Sequence, residues 1–355
     1  MKTRIYAFLL IALLVPVPAL LVSQAMSAGA AAQPALHILD RWKLSEGGSW
    51  GHLNIDAAAN LLYIPRQGHI AVVDLSTGKL VGKVPGFTDA RVVALDGKGK
   101  YGYATDMQLG SVGYVRVFDR STFNPVAAIA VGRIPSAIIF DPVTKNVFTF
   151  STSDKNMAVI DPASNTVSAT VPLPGKPHLA VTDGKGAIFV SFRGIGKLLR
   201  IDTASHAVTA DWSIQPCAEF HGLTWDEANH QIIGSCFGQH MIAIAAATGQ
   251  VTPAGDCTVD ATDLALDPAR HLLFSGSTSG VLSVYRQESP SKFTLETQLQ
   301  TDRRAGTITV DSRTGRVYLV TSDFGPAKVN GPGMEESEAH LVPVEGTFRV
   351  IVAGR

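Results

Sequence analysis

Seven copies of one pattern constrain the fold of this chain more than any other feature. In each copy a short apolar strand ends in an aspartate, a turn follows, and a second apolar strand carries a bulky residue. These aspartates are Asp56, Asp96, Asp141, Asp183, Asp226, Asp267 and Asp311, at successive steps of 40, 45, 42, 43, 41 and 44 residues. A period of about 40 to 50 residues with several strands per repeat is typical of a β-propeller. The sequence therefore predicts an all-β fold with seven blades.

The repeated aspartates are interpreted as turn residues rather than catalytic acids. An aspartate carboxylate accepts a hydrogen bond from the backbone two residues further on and so initiates a turn. A second set of aspartates ends the third strand of several blades, before the hairpin to the fourth strand: Asp74, Asp119, Asp161 and Asp202. Ala245 and Tyr285 replace this second aspartate in blades five and six, so other residues are expected to form those two turns.

The last repeat is irregular and predicts how the ring closes. The blades are predicted to start near residues 47, 88, 133, 176, 218, 258 and 303. Blade seven carries an acidic insertion rich in glycine and proline at 322–346, and the C-terminal FRVIVAGR then supplies a third strand but no fourth. We predict that the segment 37–44, which precedes blade one, is the missing outer strand. Such closure removes exposed sheet edges.

The N-terminus predicts export. Lys2 and Arg4 precede an apolar run at 5–22 and a stretch of small residues at 23–33, as in a secretory signal peptide. We expect residues 1–32 to be the signal peptide, cut between Ala25 and Gln33, and 33–355 to form one propeller domain. An uncleaved membrane anchor is the alternative, because about 18 apolar residues nearly suffice for a span. Pro16 and Pro18 interrupt the run and favour cleavage. The prediction is a periplasmic or secreted protein with no membrane span in the mature chain.

Charge composition argues against nucleic acid as a partner. The chain has 30 basic and 30 acidic residues, a formal net charge of zero, and no long basic run. Nucleic-acid affinity depends on neutralising phosphates, which needs a basic surface. We therefore expect a monomer that binds a small molecule, a peptide or a protein.

Four segments of the chain are distinctive: the hairpin VVDLSTGKLVGKV, the stretch RVYLVTSDFGPA before the last insertion, the end GTFRVIVAGR, and Cys217 followed by GLTWD and by IIGSC at Cys236. In these segments the chain resembles the YncE-like, YVTN-repeat family of exported bacterial seven-bladed propellers. The last of these is similar to a paired-cysteine blade in that family. The resemblance covers nearly all of the mature chain. It implies a binding or scaffold protein of the bacterial envelope and brings no catalytic motif.

Cys217, Cys236 and Cys257 all lie in or beside blade five. In a hairpin that turns near Asp226, Cys217 and Cys236 fall at the same end of adjacent strands, where a disulfide is geometrically feasible. An oxidising compartment favours this pair. A bridge between Cys236 and Cys257, free thiols, and a zinc or copper site built from two Cys-x3-His pairs, with His221 and His240, are the alternatives.

The residues just before each first strand define the candidate binding site. In a propeller the first strand of each blade lines the central channel, so residues preceding it crowd one rim. Counting back four to seven positions from each repeated aspartate gives His52, Asp89, Arg91, Lys176, His178, Glu219, His221, Asp260, Asp263 and Arg304. Seven of these are predicted to bind a ligand at the channel mouth: His52, Arg91, His178, Glu219, His221, Asp260 and Arg304. Opposite charges alternate around part of this ring, which suits a polar or zwitterionic ligand. Polar residues are also expected at any solvent-filled mouth.

Enzyme signatures are missing from the sequence. It contains no G-x-S-x-G, no H-E-x-x-H, no P-loop and no dinucleotide fingerprint. The sequence thus assigns no catalytic residue and no cofactor. The alternative function is a metal-dependent hydrolase or lactonase that uses rim histidines and carboxylates around a divalent metal ion. A purely structural scaffold that binds partners at its blade edges is the other alternative.

Overall fold

The computed structural model describes residues 35–45, 47–97, 99–237, 239–326 and 341–355, and every regular element in these ranges is a β-strand. The signal peptide predicted at 1–32 lies outside the described residues. Strand β1 is His37–Lys43. Blade 1 contains β2 (Asn54–Asp56), β3 (Leu61–Pro65), β4 (His69–Asp74) and β5 (Leu80–Pro85). Blade 2 contains β6 (Ala90–Leu95), β7 (Tyr101–Asp106), β8 (Gly113–Asp119) and β9 (Pro125–Val131).

The next four blades repeat this arrangement. Blade 3 contains β10 (Pro135–Phe140), β11 (Val147–Ser151), β12 (Asn156–Asp161) and β13 (Thr166–Pro172). Blade 4 contains β14 (Pro177–Thr182), β15 (Ala187–Phe192), β16 (Lys197–Asp202) and β17 (Val208–Ser213). Blade 5 contains β18 (Phe220–Asp226), β19 (Gln231–Cys236), β20 (His240–Ala245) and β21 (Val251–Asp256). Blade 6 contains β22 (Ala261–Asp267), β23 (Leu272–Ser277), β24 (Val281–Ser289) and β25 (Lys292–Gln300).

Blade 7 is completed by both ends of the described chain, as predicted. It contains β26 (Thr307–Asp311), β27 (Arg316–Thr321) and β30 (Arg349–Gly354), and β1 pairs antiparallel with β30 as its outermost strand. The register runs from His37 opposite Gly354 to Lys43 opposite Arg349. The all-β, seven-bladed propeller closed by an N-terminal strand is therefore confirmed. A short hairpin of β28 (Phe324–Pro326) and β29 (Leu341–Pro343) lies within the predicted insertion.

Side-chain packing and ion pairs hold β1 in place. The buried Trp42 ring lies 5.5 Å from the ring of Tyr318 on β27. Asp302 accepts from Arg41 of β1 at 3.2 Å and from Arg349 of β30 at 2.7 Å. Burial opposes ionisation of Asp302, but the hydrogen bonds from the two arginines outweigh it and lower the pKa of this carboxyl. The closure is therefore both apolar and electrostatic.

The core lies between neighbouring blades. Blades 3 and 4 bury one such cluster, in which Phe148 and Phe150 of β11 pack with Ile188 and Phe192 of β15. Aromatic and β-branched residues suit these pleated surfaces because both faces of a middle strand are covered by the adjacent blades. Truncating one such phenylalanine to alanine costs about 3 to 5 kcal/mol. Packing between neighbouring blades therefore contributes strongly to the stability of the ring.

The repeated aspartates form turns, as predicted. In six of the seven blades the aspartate carboxylate accepts a hydrogen bond from a backbone N–H two or three residues further on. For example, Ala59 N–H donates to Asp56 and Arg313 N–H donates to Asp311, each at 3.0 Å. Asp96 accepts through its backbone carbonyl from Gly99. Blade 6 departs from the prediction, since Tyr285 is buried within β24 rather than placed at a turn. The hairpin there falls later because β24 and β25 are each nine residues long.

Candidate functional site

The mouth of the channel is the end at which the seven inner strands begin. These strands, β2, β6, β10, β14, β18, β22 and β26, contact one another in sequence around the ring. Because the strands of each blade alternate in direction, the loops between second and third strands reach the same end. Gly51 permits close approach of blades 1 and 2 here, since a Cβ at this position would overlap the carbonyl of Arg91. His52 N–H donates to that carbonyl at 2.8 Å.

Three cavities form an arc along this mouth and together hold six of the seven predicted residues. The first, called the His178 cavity, has a volume of about 240 Å³ and is lined by His52, Arg91 and His178. The second, called the His221 cavity, has about 360 Å³ and is lined by His221 and Asp260. The third, called the Arg304 cavity, has about 640 Å³ and shares Asp260 with the second and Trp50 with the first.

His178 is a partly buried imidazole surrounded by other basic residues. Burial is the main cause that lowers its pKa, and the positive charges of Arg193, His52 and His221 lower it further, to about 4. The side chain is therefore neutral at neutral pH and offers one donor and one acceptor nitrogen. His52 and His178 line the same cavity, whereas His221 lines the neighbouring one.

His52 and Arg91 are neutralised by neighbouring carboxylates. His52 Nδ1 lies 3.5 Å from Asp263 Oδ2, and Arg91 Nη2 lies 2.5 Å from Asp89 Oδ2. Burial lowers the pKa of His52, but its hydrogen bond to Asp263 and the charge of that carboxylate outweigh this effect and raise it. The His52 side chain still keeps 42% of its surface accessible, because it faces the channel. Two of the basic residues predicted at the mouth are thus paired, whereas Asp260 and Arg304 form no ion pair among the described residues.

His221 belongs to a second group of contacts. Its Nε2 lies 3.6 Å from Glu219 Oε1, and its ring lies 5.3 Å from the ring of Phe237. Glu219 contacts the site through His221 and lines none of the three described mouth cavities. Phe237 itself is 77% exposed. A histidine and an aromatic ring are therefore presented to solvent beside the charged centre.

The Arg304 cavity combines cations with aromatic walls. The guanidinium of Arg304 lies 4.3 Å from the centre of the Phe324 ring, a cation–π contact. Trp50 packs edge-on against Phe324 with a centroid distance of 6.0 Å. Arg303 and Asp260 complete the charged lining. This cavity presents both signs of charge next to apolar surface.

Sequence reasoning missed the loops between second and third strands. Met107 and Arg193 line the His178 cavity, Phe237 and Thr278 line the His221 cavity, and Phe324 lines the Arg304 cavity. The alternation of strand direction was the signal that would have found them. Of the residues that the sequence did count, Asp89 and Asp263 act as partners of Arg91 and His52.

The cysteines form the predicted pair. Cys217 and Cys236 are joined by a disulfide, with Cα atoms 5.3 Å apart, and Cys257 is a buried free thiol. Burial raises the pKa of the Cys257 thiol to about 11. The alternative bridge to Cys257 and the Cys-x3-His metal site are therefore wrong, because both sulfurs of that site are in the disulfide. Across the described ranges, no group of three or more His, Cys, Asp or Glu side chains is arranged to hold a metal ion.

The largest cavity described lies at the outer edges of blades 5 and 6 and adjoins the mouth, since Thr258 lines both it and the His221 cavity. It has about 710 Å³ and runs between the outer strands β21 and β25, lined by Cys257, Tyr285 and Leu295 among others. This groove at the blade edge is the feature that the scaffold alternative would use. It holds none of the seven predicted mouth residues.

Comparisons with known proteins support the fold. A chain of Kuenenia stuttgartiensis hydrazine synthase is 16% identical with a TM-score of 0.66, over 78% of this chain and 93% of that one. A chain of the mitotic checkpoint complex is 13% identical with a TM-score of 0.67, over 90% of this chain and 96% of that one. U3-55K is 10% identical with a TM-score of 0.69, over 89% of this chain and 98% of that one. At such low identities the likeness shows the fold alone.

Sequence comparisons add no closer relative. No family model matches the chain, and no curated protein matches it. The blade pattern and the solved structures together define a seven-bladed β-propeller. In the part of the chain that the structure describes, no helix has the length and apolar character needed to cross a membrane.

Proposed function

We propose that this protein is an exported binding propeller of the bacterial envelope that docks a protein partner on its mouth face. The mouth face is defined as the three mouth cavities and the loops around them. The same proposal assigns the chain to the YncE-like, YVTN-repeat family, on the segments that resemble it and on the matching fold. The seven predicted mouth residues are proposed as the polar centre of the docking surface.

The observation that carries the proposal is the distribution of exposed apolar side chains. The large hydrophobic residues exposed in the mouth-face loops are Leu109, Val112, Ile195, Phe237, Val259, Val342 and Val344. In the loops of the opposite face, among the described residues, only Val143 is exposed in this way. Six further exposed residues are spread over the outer strands of five blades: Leu39, Leu80, Val81, Val126, Val208 and Leu295. Apolar surface gathered on one face of a protein marks an interaction site, since scattered exposed residues would show no such bias.

The centre of that face supplies what a specific interface needs. Arginine and aromatic side chains are enriched in interface cores, where they provide anchors for the partner. Here Arg304, Phe324 and Trp50 line one cavity, and Phe237 stands beside His221. Charged groups of both signs surround them, so we expect a partner segment that carries both a cationic and an anionic group.

Two features support export. Cysteine pairs persist in oxidising compartments such as the periplasm, and the structure contains the Cys217–Cys236 disulfide. The basic and apolar N-terminus has the composition of a signal peptide. N-terminal sequencing of the protein recovered from the envelope should give a first residue between 26 and 33. A chain that keeps residues 5–22 in the membrane would contradict cleavage.

Site-specific photo-cross-linking tests the docking face. A photoreactive residue is placed at Leu109 or Phe237 on the mouth face, and control positions are Leu295 at the blade edge and Val143 on the opposite face, all of them exposed. We expect one partner protein to be trapped from the mouth positions and not from the controls. Adducts from Leu295 alone would instead favour the scaffold alternative.

Affinity measurement with the purified partner completes the test. His178→Ala combined with His221→Ala should leave folding nearly unchanged yet weaken binding at least tenfold, about 1.4 kcal/mol. Unchanged affinity in a folded double variant would remove these residues from the site. The metal-dependent hydrolase remains an alternative that no contact in the described ranges favours over binding.

A further inference from the structure

The His178 cavity contains polar atoms whose hydrogen-bonding capacity is not used. Within the ranges that the structure describes, His178 Nδ1 and Arg91 Nε are buried and have no hydrogen-bond partner. A buried polar atom without a partner loses its hydrogen bonds to water and gains none in return, so native structures rarely keep one without a reason. Two such atoms line the same cavity of about 240 Å³. This coincidence indicates a ligand site.

The charge balance of the cavity selects an anion. Asp89 neutralises Arg91, and Asp263 pairs with His52. Arg193 also lines the cavity, and no carboxylate of the described residues pairs with it. His178 is neutral at neutral pH. One guanidinium therefore remains uncompensated, and guanidinium groups match the planar geometry of carboxylates.

The rest of the lining limits the size and character of the ligand. Val92, Met107, Ile134 and Leu179 provide apolar walls beside the polar atoms. Pockets for drug-sized ligands span about 300 to 1,000 Å³, so this cavity suits a smaller molecule. An inorganic anion would leave the apolar walls without contact, whereas a carboxylate with a short hydrocarbon part would cover them.

We infer that the His178 cavity binds a carboxylate that carries a short apolar group, held by Arg91 and Arg193, with His178 donating an additional hydrogen bond to it from Nδ1–H. The cavity is one of the three that define the mouth face, but the inference goes beyond protein docking, because a small acid can bind inside it without contact with the exposed apolar side chains of that face. A free small acid and the C-terminal residue of a peptide present the same chemistry. Acids and peptides tested side by side separate these two sources.

The test uses the mature protein and simple probes. Acetate, butyrate and benzoate are titrated by calorimetry at pH 7 and constant ionic strength, with chloride and inorganic phosphate as controls. An acetylated tripeptide ending in valine is tested with a free carboxylate and with a C-terminal amide. Saturable binding of the acids identifies a small-acid site, and binding of the free peptide but not its amide identifies a chain-end site. Either result supports the inference.

Two arginine variants test whether the carboxylate probes bind in the His178 cavity. Arg193→Gln should weaken binding of the best probe by about tenfold or more, because it removes a charge-assisted hydrogen bond. Arg133→Gln is the control, since Arg133 is also an exposed arginine on this face but pairs with Asp154 at 2.8 Å. It should change affinity by less than about twofold, as expected for a screened surface charge. No saturable binding of any carboxylate, or equal loss in both variants, would overturn the inference, whatever the outcome of partner cross-linking.

Discussion

His178 links the mouth to the acid stability of the fold. Its pKa is about 4 in the folded protein, against an ordinary value of 6.5, so the unfolded chain binds more protons between these values. Stability contributed by the neutral imidazole is therefore complete above pH 6.5 and is lost as the pH falls towards 4. The full loss is on the order of 3 kcal/mol.

We predict that His178→Gln reduces this acid sensitivity. Urea unfolding of wild type and variant at several pH values between 7 and 4 should show that the stability difference shifts in favour of the variant as the pH falls. The neighbouring charges of Arg193, His52 and His221 are common to both proteins. The raised pKa of His52 acts in the opposite direction, since its contribution is lost as the pH rises. Parallel pH profiles for the two proteins would contradict a buried neutral His178.

The cysteines give a second prediction at this scale. The native protein should be nearly inert to alkylation at pH 8, because Cys257 is buried and burial raises its thiol pKa to about 11. Unfolding without reductant should expose one thiol per chain, and unfolding with reductant should expose three. Non-reducing peptide mapping should find Cys217 linked to Cys236. Recovery of these two residues as free thiols from an oxidising compartment would contradict the pairing.

Residue positions were predictable from the sequence where the repeat fixes them. His52, His178 and His221 were found because each lies four or five residues before a repeated aspartate. Arg193 was not found, because counting back from the aspartates reaches only one of the two loops that each blade contributes to the mouth. The ion pairs of His52 with Asp263 and of Arg91 with Asp89 also depend on side-chain geometry that spacing does not define.

Strand β1 is the element on which ring closure depends. A chain that begins after Ser45 loses the pairing with β30, the buried Trp42 and the ion pair of Arg41 with Asp302. We predict that this deletion lowers the free energy of unfolding by several kcal/mol, since loss of the tryptophan side chain alone costs about 3 to 5 kcal/mol. A chain that begins at Ala35 keeps β1 and is the control. Equal melting temperatures for the two chains would contradict the prediction.

Other elements show where a repeat stops being informative. The long hairpin of β24 and β25 moves the fourth strand of blade 6, so Tyr285 falls inside a strand although it aligns with a turn aspartate. The hairpin of β28 and β29 places Phe324 beside Arg304. Both features are additions to the repeat. Their structure depends on local pairing that the period of the other blades does not encode.

The fold of the whole molecule was predictable because each blade buries its faces against its neighbours. That requirement repeats the same apolar strands seven times, which makes the period visible in a single sequence. The choice of binding face was less predictable. Exposed apolar residues such as Leu109 and Phe237 lie in loops of different length, and only the folded ring brings them to one side.

The asymmetry of the two faces gives a prediction for the whole molecule. Leu109→Ser, Phe237→Ser and Val259→Ser together should reduce binding of a hydrophobic dye and leave the melting temperature nearly unchanged, because these loop side chains are 81%, 77% and 53% exposed. The matched control is a triple serine variant in outer strands, at positions 80, 126 and 208. It should lower the melting temperature, since serine lacks the packing that favours leucine and valine on a pleated surface. Its effect on dye binding should be smaller, because those side chains are spread over separate blades. Dye binding that falls only in the control would place the apolar surface at the blade edges and would contradict docking on the mouth face.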